Sequence, residues 1–374
     1  MKTLFFTTLL AFCIGHHFLW AQAYSLENLE VNYRPDKQQE NHFTYQKLRL
    51  YPILAKTEFL AQQVPIGHYT SLKDALLAKS IVISESENRQ LHQPDFLNIN
   101  EVELEEEEIQ TNDSVRRGRR QRTNNLQQNR NNQAIQRTVN NQSSSAQVNQ
   151  LLIENLSGDT VYVMAGEIVQ GGKQDRVIAQ DMLIPPRSGQ LPLPVFCVEK
   201  GRWTYGDNAN FEQYYGFSSV KLRSKVSVDR DQGAVWGEVA RANANNKVST
   251  ATGAYTAQLS SKNVQEQMEA YTQFFKDKLA EMPNVIGVIV VSGDKVVGCD
   301  MFASPVLFKN QFDELLTSYA YEAITDGQEV NIQPDAVETY VQNLLADEAK
   351  QEKFLQNKGN VFKDGNRKLR ISSY

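Results

Sequence analysis

The chain has 374 residues, with 39 Lys and Arg against 44 Asp and Glu, a formal net charge of −5 and 41% hydrophobic residues. An acid-leaning chain argues against nucleic-acid binding, which needs a basic face. Three cysteines and five scattered histidines give no metal-ligand spacing and no nucleophile–base arrangement, so neither a metal nor a cofactor is expected.

Residues 1–23 read as a secretory signal peptide. Lys2 supplies the positive start, LFFTTLLAFCI the apolar centre and Ala21-Gln22-Ala23 a small-x-small cleavage site. The apolar run is shorter than the roughly 20 residues that span a bilayer, and no later run is long enough. Phe12 before Cys13 argues against lipid anchoring. The expected destination is the periplasm or the exterior, with the mature chain starting at Tyr24.

Residues 24–100 read as the N-terminal part of a folded domain. Within them Phe43–Ala55 reads as a strand. Ser71 caps a short helix with Asp74 at its third position, and Ile81-Val82-Ile83 is a strand. Residues 101–147 read as a disordered insertion. EVELEEEE holds six glutamates in eight residues, VRRGRRQR holds five arginines, and an Asn/Gln-rich tract follows; such a segment has too little apolar surface to offset its ordering entropy.

Residues 148–374 read as the main part of the fold. LLIENLSGDTVYVMAGEIV is strand, SGD turn, strand, and further strands run to Trp203. Pro185, Pro186, Pro192 and Pro194 confine that block to edges or bends, and it is expected to be antiparallel. QGAVWGEVARANANNKV reads as a helix carrying Val235, Trp236, Val239 and Ala240. NVQEQMEAYTQFFKDKLAEM is the clearest helix, with Val264, Met268, Tyr271, Phe275 and Leu279 on one stripe and Pro283 stopping it. VIGVIVVSGDKVVGCDMF is a hairpin, two helices follow near FDELLTSYAYEAI and PDAVETYVQNLLADEA, and VFKDGNRKLRISSY adds a small edge hairpin. Strands and helices are segregated, which predicts α+β: a mainly antiparallel sheet with packed helices in the C-terminal half.

The stretch GEIVQGGKQDR, Gly166–Arg176, reads either as a hairpin turn with solvated charges or as a site. Gly171-Gly172 permits positive φ and leaves amides open to an anion. Lys173 and Arg176 suit a phosphate or carboxylate, while Glu167 and Asp175 can accept protons. In CVEKGRW, Cys197–Trp203, the cysteine has no activating neighbour in the sequence and reads as a buried strand thiol, as does Cys299; the alternative, which an exported compartment permits, is a single bridge between the two. Glu199 and Arg202 can pair with each other or with the first motif, and Trp203 can stack on a base or sugar or fill the core. Asp229-Arg230-Asp231-Gln232 can cap the helix that follows, and Asp300 sits in a strand, at an exposed face or in a site.

Taken in order, GEIVQGGKQDR, PVFCVEKGRW, DQGAVWGEV, VVGCDMF and LLTSYAYEAI resemble a bacterial domain family named for its association with ADP-ribosylglycohydrolase and rhodanese–phosphatase superfamily proteins. The resemblance runs from about Tyr45 to Ile324 and includes YTSLKDAL. It points to Glu167, Gly172, Gln174, Arg176, Cys197, Glu199, Arg202 and Trp203, and to Asp231, Gln232 and Trp236. This chain departs from the pattern at Asp175, where the family carries Asn, and at Phe196, where it carries Ser; the 101–147 insertion is not part of it. The resemblance implies a role around ADP-ribose or related nucleotide derivatives.

The candidate ligand-binding residues are therefore Gly171, Gly172, Gln174, Arg176, Arg202 and Trp203, and the candidate acid/base residues Glu167 and Glu199. The first functional expectation is an exported protein that binds a small anionic or nucleotide-derived ligand where the two motifs meet. One alternative is a hydrolase acting on an ADP-ribose-like or glycosidic substrate, with Glu167 or Glu199 as general acid or base. The other is a structural or cell-envelope interaction protein whose polar motifs pin its strands. The first two require the motifs to be adjacent in space.

Overall fold

A computed structural model describes residues 24–61, 69–86, 149–202, 210–279 and 281–374. Residues 1–23, which read as a signal peptide, residues 101–147, which read as an insertion, and Trp203 lie outside the described residues. The first elements are β1 (Leu29–Val31), α1 (Lys37–His42), β2 (Thr44–Tyr45), β3 (Leu48–Ala55), α2 (Thr57–Ala61), β4 (Tyr69–Ser71), α3 (Leu72–Leu77) and β5 (Ile81–Glu85). A strand-rich stretch follows: β6 (Gln150–Asn155), β7 (Thr160–Val163), β8 (Glu167–Gly171), β9 (Arg176–Ile178), β10 (Met182–Ile184), β11 (Gly189–Cys197) and β12 (Phe211–Phe217). Then come α4 (Val220–Ser224), α5 (Gln232–Asn245), α6 (Lys262–Phe275), β13 (Val285–Ser292), β14 (Lys295–Phe302) and α7 (Pro305–Asp326). The chain closes with α8 (Pro334–Leu344), α9 (Glu348–Leu355), β15 (Gly359–Asp364) and β16 (Arg367–Ser373). The architecture is α+β, with mostly antiparallel sheets.

The described chain forms two compact units. One takes residues 24–61, Gln273–Asp313 and Gly327–Tyr374; the other takes residues 69–272 and Glu314–Asp326.

The first unit is a seven-stranded sheet in the order β1-β3-β13-β14-β16-β15, with β2 paired to β3. Every residue of β13 is buried, as its unbroken apolar run requires of a strand covered on both faces. Val337, Val341 and Leu344 of α8 pack with Ile53, Ile289, Met301 and Ile371 on one face. Two expectations change here. The predicted strand Phe43–Ala55 is a tight hairpin, β2–β3, turned at Gln46 with φ 47°. The tail is not only an edge: β16 lies inside the sheet between β14 and β15. There the Arg370 guanidinium meets Asp300 at 2.7 Å with both side chains buried, which explains a carboxylate in an otherwise apolar strand.

The second unit holds a six-stranded antiparallel sheet, β12-β8-β9-β11-β6-β5, and a three-stranded sheet, β10-β7-β4. A bridge between Ser84 and Asn210 ties β5 to β12, so the six strands run round into a ring. Its inner face carries Ile81, Ile83, Leu151, Ile153, Val169, Ile178, Val195 and Phe211, packed on α3 and the smaller sheet. Its outer face carries Ile168, Val177, Phe196 and Val198, packed on α4, α5 and Tyr255. The SGD turn therefore does not make a hairpin. It sends β6 to one sheet and β7 to the other, and β7 pairs parallel with β4, an exception to the antiparallel expectation. Pro192 and Pro194 sit in β11, which has β6 on one side over residues 189–194 and gains β9 only from Val195. The prolines thus occupy a stretch that is locally an edge, where a missing N–H costs no ladder bond.

Helix α3 begins as expected, with the Ser71 hydroxyl accepting from the Asp74 amide at 3.1 Å. Helix α5 is capped by Asp231, whose carboxylate accepts from the Ala234 amide at 2.6 Å. It buries Val235, Glu238, Val239, Ala242 and Asn243, whereas Ala240 faces out and Trp236 is half-buried. The α6 stripe is buried throughout, though the helix ends at Phe275, well before Pro283.

Candidate functional site

GEIVQGGKQDR forms the β8–β9 hairpin, and its charges other than the half-buried Lys173 are buried rather than solvated. Glu167, Gln174, Asp175 and Arg176 are 1%, 5%, 4% and 0% exposed. The turn needs its glycines. Gly171 has φ 141° and Gly172 φ 49°, and a Cβ on Gly171 would stand 2.5 Å from the Asn210 carbonyl oxygen. CVEKGRW leaves β11 beside this turn. Gln232 fixes its start: the side-chain amide accepts from the Cys197 N–H and donates to the Cys197 carbonyl, both at 2.9 Å. One side chain of α5 thus continues the ladder where β11 ends.

The two motifs meet through Arg202. Its Nε donates to Glu199 at 2.6 Å, Nη1 to the Gly172 carbonyl at 3.0 Å, and Nη2 to Asp175 at 2.9 Å and the Gly171 carbonyl at 3.4 Å. Asp175 also accepts from the Thr256 hydroxyl at 2.7 Å and Gln170 at 3.3 Å. Its amide points to Glu199, and Gln174 Nε2 donates to the Glu199 carbonyl oxygen at 2.8 Å. Asp175 therefore carries its charge where a cation already stands, which accounts physically for a carboxylate at this position. The network brings together Gly171, Gly172, Gln174, Glu199 and Arg202.

Arg176 lies beside it with a different environment. The side chain is fully buried, and Nη1 donates to the backbone and side-chain oxygens of Gln174 at 3.0 and 3.3 Å. Among the described residues, Nε and Nη2 have no hydrogen-bond partner. The nearest carboxylate, Glu85, stands 3.7 Å from Nη2, an ion pair too long for a hydrogen bond. Glu85 Oε1 instead accepts from the Lys173 amide at 2.7 Å. Nε and Nη2 form the side-on edge of the guanidinium, the fork that binds carboxylates and phosphates bidentately. Cys197 sits opposite Arg176 in the ladder. Burial pushes its thiol up, with Arg176 acting the other way and Glu85 adding to the rise, so it stays a thiol, which is a poor nucleophile. Cys197 and Cys299 are both buried and form no bridge.

Glu167 belongs to a separate cluster. It begins β8, about 13 Å along the strand from Gly171 at ~3.3 Å per residue. Its carboxyl accepts from the Met164 amide at 2.6 Å and from the Tyr214 hydroxyl at 3.1 Å. Tyr214 is hydrogen-bonded to Glu314 as well, and Glu314 pairs with Lys73 at 2.6 Å. Asp181 stands nearby, accepting from the Tyr162 hydroxyl and the Ala165 amide, each at 2.8 Å. Burial pushes the Glu167 carboxyl up to about 8; its two hydrogen bonds only partly offset this, and Glu314 and Asp181 add to it.

Sequence reasoning passed over Glu85, Thr256, Tyr214, Glu314 and Lys73. For Glu85 a signal existed: Ile81, Ile83 and Glu85 alternate, so a period of two puts Glu85 on the apolar inner face. The others arrive from distant segments with no local pattern. Among the described residues no cluster of His, Cys, Asp or Glu is arranged to hold a metal, and no helix is long and apolar enough to cross a membrane.

A buried polar hairpin on a small closed sheet, stitched to the strand that carries CVEKGRW, defines the class. The chain belongs to the ARG and Rhodanese-Phosphatase-superfamily-associated Protein domain family, which matches residues 37–367. No curated protein matches the chain, and no solved structure does.

Proposed function

We propose that this is an exported protein that binds a small anionic or nucleotide-derived ligand at Arg176. The observation that carries this reading is the unused side-on fork of a fully buried guanidinium. A buried, underpaired cation is costly unless something completes its coordination, and an oxyanion has the matching geometry. Phosphate is the anion that the family's link to ADP-ribose chemistry suggests. The test is a thermal-shift screen of wild type and Arg176→Ala with ADP-ribose, nucleotides, sugar phosphates and simple anions. A ligand at ~100 times its dissociation constant adds roughly 2.7 kcal/mol. The expected result is a shift in wild type that the variant loses; no shift with any ligand overturns the reading. Export predicts a mature N-terminus at Tyr24, read by sequencing the secreted or periplasmic protein. Tyr24 is already part of the core, its hydroxyl donating to the Lys368 carbonyl at 2.8 Å.

A second reading, a hydrolase on an ADP-ribose-like or glycosidic substrate, is favoured by Glu167. An acid that keeps its proton at neutral pH is suited to protonating a leaving group. Glu199 is the weaker candidate because its carboxylate is engaged by Arg202. Release of product from ADP-ribose or an aryl glycoside by wild type, abolished in Glu167→Gln, is the result this reading expects. A structural role is best supported for Asp175, Glu199 and Arg202, whose bonds link strand, turn and the Thr256 segment.

A further inference from the structure

We propose that Glu85 is a built-in occupant of the anion site, and that a small oxyanion binds by displacing it. The inference rests on reading Arg176 as an anion receptor and adds what holds that receptor in its unliganded state.

Three donors are concerned: the Lys173 amide and, on one edge of the guanidinium, the Nε and Nη2 of Arg176. Glu85 satisfies the first at 2.7 Å and approaches the last only to 3.7 Å, while Nε donates to nothing among the described residues. The carboxylate is tethered. Glu85 is the last residue of β5, with its backbone in register with Leu151 and its neighbour Ser84 bridged to Asn210. It can seat one oxygen on the turn amide but does not bring two oxygens onto the fork. A free oxyanion has no such tether and can meet all three donors at once.

The turn is shaped for an anion at this spot. A Cβ on Gly172 would lie 2.7 Å from Glu85 Oε1 and 2.5 Å from the Phe211 ring, so the carboxylate sits in space that only glycine leaves open. Glu85 is also the more exposed partner, 9% against 0% for the Arg176 side chain. Two anions cannot share the fork without repulsion, so binding and the Glu85–Arg176 pair exclude each other. The ligand class that follows is a small oxyanion with at least two oxygens available, a phosphate or a carboxylate.

The test is calorimetric titration of the full chain with inorganic phosphate, and separately with acetate, at fixed ionic strength. Wild type is compared with Glu85→Gln, which keeps an oxygen for the Lys173 amide and removes the charge. Like-charge contact costs several kcal/mol, so Glu85→Gln is expected to bind at least about tenfold more tightly. Adding Arg176→Ala to that variant is expected to abolish binding. Binding in Glu85→Gln alone, with none in wild type, overturns displacement, because Glu85 then closes the fork to anions instead of yielding it. Equal or weaker binding in Glu85→Gln than in wild type overturns displacement and leaves the Arg176 site standing. No binding in either overturns both. Circular dichroism melts check folding. If Glu85→Gln does not fold, Glu85→Asp, which withdraws the carboxylate by one methylene, is expected to show the same tightening, and its absence overturns the proposal.

Discussion

At the level of single residues, burial decides more than residue type. Asp175 and Glu167 belong to one eleven-residue motif, yet one is paired with Arg202 at 2.9 Å and the other is surrounded by a tyrosine and further carboxylates. The sequence showed the ingredients but not this division, because whether a carboxylate meets a cation depends on which segments fold back on it. The Glu167 acid makes the division measurable. Its carboxyl is held at about 8 in the fold and returns to roughly 4.3 in the unfolded chain. Between these values the unfolded chain has lost a proton that the native protein keeps, so stability falls as pH rises, by up to about 1.4 kcal/mol per pH unit. Glu167→Gln, which mimics the protonated acid, removes that slope. Melting temperatures from pH 5 to 8 are expected to show the variant gaining on wild type as pH rises, with the gain levelling off above pH 8. Parallel curves would mean that Glu167 ionises normally.

At the level of elements, periodicity and caps located most helices and strands, and the failures share a cause. A sequence pattern shows that a strand exists but not which strand it joins. The turn at Ser157-Gly158-Asp159 reads as a link between two strands without saying whether they pair, and Asn155 just before it donates to the Asp159, Ile184 and Pro185 carbonyls and steers β6 and β7 apart. Gln232 is the reverse case. It reads as a helix-capping neighbour, and its amide instead completes the backbone ladder at Cys197. Two neutral hydrogen bonds contribute about 0.5–1.5 kcal/mol each, so Gln232→Ala is expected to lower unfolding stability by about 1–3 kcal/mol in urea. Gln232→Glu keeps the acceptor but turns a carboxylate oxygen toward the Cys197 carbonyl, so its loss should be greater at pH 8 than at pH 4. A denaturation midpoint unchanged in both variants would show that β11 does not depend on this side chain.

At the level of the whole molecule, neither unit is a continuous stretch of chain, and this was the least legible property of the sequence. Nothing local in Arg367–Ser373 announces that it will lie between β14 and β15 in a sheet whose other edge comes from residues 29–31. That placement means the first unit cannot complete its sheet until the last residues are present. A chain ended at Lys358 loses β15 and β16, exposes β14 as an edge and takes the guanidinium away from the buried Asp300. Removing one partner of a buried ion pair alone costs about 3–5 kcal/mol, against a total stability of about 5–15 kcal/mol for a domain. The truncated chain is therefore expected to leave β3 and β13 without slow hydrogen exchange, while the full chain protects both. Arg370→Leu separates the causes. It keeps both strands, so β3 and β13 should stay protected at a reduced stability, and adding Asp300→Leu should recover part of the loss because two apolar groups then replace the pair. Full protection in the truncated chain would show that the C-terminal hairpin is an accessory to this sheet rather than one of its interior members.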